Sequence, residues 1–67
     1  MESLIKRADI YNNGGDSILT LLLFSGRSVS ARLDLADLKD YLSKKITPLG
    51  LSFKYFREEE GEIVKIR

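Results

Sequence analysis

The sequence predicts a small α+β fold in which one antiparallel sheet carries one helix on one face, in the order β-β-β-α-β-β. Three observations lead there. Turn-forming clusters at Asn12–Asp16 and Ser25–Arg27 sit at hairpin spacing. Val29, Ala31 and Leu33 alternate with Ser28, Ser30 and Arg32 in the period-2 pattern of a half-buried strand. Between Asp34 and Pro48, Leu35, Leu38, Leu42 and Ile46 recur at helical spacing.

The first strand is expected over Ser3–Tyr11, where Leu4, Ile5, Ala8, Ile10 and Tyr11 stand among charges as on a strand near a sheet edge. Asn12-Asn13-Gly14-Gly15-Asp16 then reverses the chain, since Asn and Gly tolerate positive φ. Ser17–Phe24 reads as the central strand, with Leu19, Leu21 and Leu23 on one side and Ile18, Leu22 and Phe24 on the other. The helix covers one of these sides, and the other needs a different cover. Asp34 occupies an N-cap position with Asp37 three residues on, and both carboxylates favour the positive end of the helix dipole. Lys44 and Lys45 suit the last turn, and Pro48 with Gly50 reads as the stop. Leu51–Arg57 is expected to be a fourth strand, Glu58–Gly61 a polar turn, and Glu62–Arg67 a fifth strand with Val64 and Ile66 inward.

With 67 residues there is room for a single domain, which buries roughly 60% of the surface its unfolded chain exposes. Apolar residues make up 43% and charged residues 31%, a folded composition rather than a disordered one. The chain has no Cys and no His, which removes disulfides, the thiol nucleophile, the usual general base and the common transition-metal ligands. An enzyme is therefore not expected, nor a cofactor. Asp34 and Asp37 read as capping acids rather than ligands of a hard cation, and Gly14-Gly15 as a hairpin turn rather than a phosphate loop, because an apolar strand follows it and not a helix. No secretory signal opens residues 1–15, and Ile18–Phe24 is too short to span a bilayer, so a cytoplasmic protein without membrane contact is expected.

Binding surfaces follow from the expected sheet. Leu19, Leu21 and Leu23, with Phe56, form the expected protein-contact face, to be covered by a second copy of the chain or by a larger protein that this one anchors to or inhibits. The alternative is single-stranded nucleic acid on a basic outer sheet face, with Arg32, Lys54, Lys65 and Arg67 tracking phosphates and Phe56 stacking on bases. The net charge of +1 gives no global attraction to nucleic acid. A third surface, the acidic Glu58, Glu59, Glu60 and Glu62, is the kind that can meet a basic groove, although charged turns are usually just solvated.

Overall fold

The computed structural model describes residues 4–67 and has a small α+β fold. Its elements are β1 (Ile5–Asn13), β2 (Asp16–Leu23), β3 (Ser28–Arg32), α1 (Leu35–Leu42), α2 (Pro48–Tyr55), β4 (Phe56–Glu59) and β5 (Glu62–Lys65). Ser3, where the first strand was expected to start, lies outside the described residues.

The first half forms a three-stranded antiparallel sheet in the order β1-β2-β3. Gly14 and Gly15 have φ of 60° and 95°, the left-handed values that a two-residue hairpin turn matched to strand twist requires. The register then sets the faces. Leu19 pairs with Ile10 and Ala31, and Leu21 with Ala8 and Val29, so these side chains all point to one side of the sheet. Leu19 and Leu21 are fully buried, as are Leu51 and Tyr55 from α2 to within a few per cent, and Phe56 joins them. Burying a Leu side chain contributes about 1.5–3 kcal/mol, so this shared core is what fixes α2 to the sheet.

Two expectations are corrected here. Among the described residues there are two helices rather than one, and the strands divide into a three-stranded sheet and a two-stranded β4-β5 ribbon. The segment expected as a strand over Leu51–Arg57 is instead the body of α2 and the start of β4. Pro48 does not stop a helix; it starts one. Thr47 has extended backbone and its hydroxyl accepts the Gly50 N–H at 3.0 Å, while Pro48 occupies a first-turn position where its missing N–H costs nothing. Leu51, Ser52 and Tyr55 are the buried residues of α2, at spacings of one and four that suit a helix. Phe53, which a strand would place beside Leu51 and Tyr55, is 70% exposed.

α1 ends earlier than the apolar spacing suggests, at Leu42, and Ile46 lies beyond it. Its C-terminus is a Schellman turn: the Lys44 N–H donates to the Tyr41 carbonyl at 3.0 Å and the Lys45 N–H to the Asp40 carbonyl at 2.9 Å. Lys44 takes φ of 61° in the position glycine usually fills. Among the described residues no helix is long and apolar enough to cross a membrane.

Candidate functional site

The apolar spacing of α1 predicts that Leu35, Leu38 and Leu42 face the sheet. The helix is turned otherwise: its buried residue is Asp37, and Leu35 and Leu42 are each 67% exposed. At 3.6 residues per turn, Leu35 and Leu42 lie nearly in line along the helix, and Asp37 sits roughly 200° around from Leu35. Once Asp37 points inward, the two leucines must point outward.

Long-range polar contacts hold Asp37 in place. The Tyr55 hydroxyl donates to its Oδ2 at 2.6 Å, the Arg67 guanidinium donates to the same oxygen at 3.2 Å, and the Lys54 ammonium donates to Oδ1 at 3.4 Å. The Tyr55 hydroxyl in turn accepts the Asp34 backbone N–H at 2.8 Å. Arg67 reaches the Asp34 carboxylate with its other nitrogen and lies 4.9 Å from the centre of the Tyr55 ring. The Asp34 side chain therefore makes no capping bond, although its backbone has N-cap geometry. The sequence assigned both acids to capping; in the structure both serve a clamp that joins α1, α2 and the residues after β5.

The clamp sets the ionisation of its members. The Tyr55 hydrogen bond holds the Asp37 carboxyl below the usual aspartate range against the opposing effect of burial, with Lys54 and Arg67 assisting. Burial pushes the Tyr55 phenol up, and the neighbouring Asp37 carboxylate adds to that. Neither group is poised to move a proton near neutral pH. Among the described residues there is no cluster of acidic side chains suited to a metal ion.

α2 also leaves an apolar side in water. Leu49 and Phe53, four residues apart and so on one side of the helix, are 47% and 70% exposed. Elsewhere a shallow groove of about 220 Å³ runs past Leu23, Phe24, Val29 and Ile63, with Arg27 and Glu62 also lining it. It falls short of the roughly 300–1,000 Å³ usual for small-molecule sites.

The expected site residues are dispersed. Leu19, Leu21, Leu23 and Phe56, expected at a protein-contact face, belong to the core instead. The β2 register puts Leu19 opposite Ala31 and Leu21 opposite Val29 on the side α2 covers, Leu23 pairs with Ile5, and Phe56 closes the core where α2 passes into β4. On the other side of β2, Ile18 and Leu22 are half-buried beside Arg7, Tyr11, Ser28 and Arg32. The expected basic face does not exist as one surface either. Arg32 is exposed on the outer side of β3 and Lys65 on β5, whereas Lys54 and Arg67 are engaged by Asp37. In the acidic turn, Glu58 accepts the Leu4 N–H and Glu59 pairs with Arg57 at 2.7 Å. The features the sequence did not reveal are the inward aspartate and the outward Leu35, Leu42 and Phe53. The chain matches no family model, no curated protein sequence and no solved structure.

Proposed function

We propose that this chain is a non-enzymatic, cytoplasmic binding module that acts through protein–protein contact, using the outward apolar sides of α1 and α2. One observation carries the reading: α1 buries its aspartate while Leu35 and Leu42 stand in water. Surface helices of a monomer ordinarily do the reverse. Leu49 and Phe53 repeat the pattern on α2. Each large apolar side chain that a partner covers contributes at most about 1.5–3 kcal/mol before the cost of association is subtracted, so a micromolar affinity, about 8 kcal/mol, needs several of them covered together.

The absence of His and Cys supports a non-catalytic role, as does an Asp37–Tyr55 pair tuned away from neutrality at both ends. A chain without cysteine suits the reducing cytoplasm. Nucleic acid is the weaker reading, because Phe56 is buried and two of the four cations are held by Asp37.

The test is a photo-crosslinking residue in place of Phe53, introduced in cells, compared with the same probe at exposed Lys45. We expect a discrete protein adduct from position 53 only. It should persist in high salt and after nuclease treatment, and disappear with Leu49→Asp. An adduct that nuclease or salt removes, or equal labelling from position 45, refutes the reading.

A further inference from the structure

The three-stranded sheet has two outer strands, and only one of them is protected. β1 carries a bulge between Ile5 and Arg7, and α2 packs against it. Bulges and covering helices are the ordinary means of keeping a sheet edge from pairing with another chain. β3 has neither. Its five residues, Ser28-Val29-Ser30-Ala31-Arg32, keep an unbroken register with β2 and include no proline, no lysine and no inward charge.

The backbone bonds show which groups that edge presents. The Leu33 N–H donates to the Ser17 carbonyl and the Leu23 N–H to the Arg27 carbonyl, each at 2.8 Å. Hydrogen-bonded pairs alternate along an antiparallel ladder, so Val29 and Ala31 exchange bonds with β2 as well. The N–H and C=O groups of Ser28, Ser30 and Arg32 therefore point away from the sheet, and all three residues are exposed.

We propose that two copies of this chain pair β3 to β3, antiparallel, about a two-fold axis at Ser30, so that the two sheets become one. The edge is self-complementary in that register. Ser30 meets Ser30, and Ser28 of each copy meets Arg32 of the other. All three outward residues then find partners, for about six inter-chain hydrogen bonds. Moving the axis to Val29 or Ala31 loses one of the three pairings, and moving it to Arg32 sets two guanidinium groups face to face. On the core side the same register places Val29, half-buried in the single chain, across from Ala31 of the second copy. A foreign strand could use the hydrogen bonds, but nothing in Ser28–Arg32 selects one, whereas the two-fold match selects itself. The contact is smaller than a standard interface, so the dimer is weak and concentration-dependent. It uses a surface distinct from the outward helix sides and does not depend on them.

Charge at the axis tests the register directly. In sedimentation or light scattering over a concentration series, the wild-type mass should rise from one chain to two. Ser30→Glu and Ser30→Lys, each setting like charges face to face, should remain single chains while keeping the wild-type melting transition. An equimolar mixture of the two should recover the doubled mass. Leu42→Asp should leave it unchanged. Amide exchange of the wild type gives a second reading, with Ser30 and Arg32 slowing as concentration rises. The proposal is overturned if the wild type stays a single chain throughout, if the Glu or Lys variant still doubles, if their mixture does not, if Leu42→Asp abolishes the doubling, or if those amides ignore concentration.

Discussion

Replacing Asp37 by Ala tests whether the clamp holds the helices in place. The substitution removes the acceptor of a 2.6 Å hydrogen bond and leaves the buried Tyr55 hydroxyl without its charged partner. A hydrogen bond to a charged group contributes about 1.5–3 kcal/mol, and breaking a fully buried ion pair costs about 3–5 kcal/mol. Lys54 and Arg67 are 47% and 46% exposed at the side chain, so water takes up much of their loss. We therefore expect a cost of about 2–3 kcal/mol. A chain this short has roughly 3–10 kcal/mol of stability in all, and each kcal/mol moves the melting temperature by about 4–8 °C. The expected fall is about 10–20 °C, read by far-UV circular dichroism at pH 7. Asp34→Ala is the control: its pair with Arg67 is about half exposed on both sides, so it should cost about 0.5 kcal/mol. A melting temperature for Asp37→Ala within 3 °C of wild type, or a larger loss from Asp34→Ala, would refute the clamp.

The remaining predictions concern pH, caps and core. Because the folded Asp37 carboxyl titrates below the ordinary aspartate range, its contribution is complete at and above that range and disappears as pH falls through the lower folded value. The raised Tyr55 phenol acts at the other end: its contribution is complete below the ordinary tyrosine range and is lost as pH rises through the higher folded value. Urea midpoints across pH should show both limbs, and Asp37→Asn should flatten the acid one. Lys44→Gly should stabilise by about 0.5–1 kcal/mol, since it relieves a left-handed backbone position; a fall in melting temperature would contradict the Schellman geometry. Thr47→Ala should cost about 1 kcal/mol by removing the cap of α2, measurable by the same melts. Phe56→Ala should cost about 3–5 kcal/mol and unfold much of the population at 37 °C, where an exposed stacking residue would have left stability unchanged. Deleting residues 62–67 removes β5 and Arg67 together, and the cooperative melting transition should be lost.

The first half of the fold was legible because its signals are local. A positive-φ turn at Gly14-Gly15, strict alternation in Val29–Leu33 and a helix start after Asp34 each involve a few neighbouring residues and are found where expected, although the Asp34 carboxylate itself does not cap. The 47–56 segment carries two local signals that conflict. Thr47-Pro48 is a helix start, whereas Phe53 and Tyr55 at alternate positions favour a strand. Pro48 by itself suits either the stop of α1 or the start of a second helix, and the burial of Leu51, Ser52 and Tyr55 at helical spacing decides for the helix. The placement of Leu19, Leu21 and Leu23 in the core has a related reason. Which side of β2 the helices cover depends on its register with β1 and β3, and one face of Ser17–Phe24 reads much like the other in sequence.

The sequence by itself determined an α+β chain without thiol or imidazole chemistry, opening with three antiparallel strands and running on into a helix at Asp34. Turn geometry, period-2 alternation and residue inventory act over short stretches of chain, so no knowledge of the rest is needed. Only the tertiary structure decided how α1 is rotated. Tyr55 lies 18 residues from Asp37 and Arg67 lies 30, and no helical period reports what stands that far away along the chain. Those partners turn a carboxylate inward and hold Leu35 and Leu42 out in the solvent.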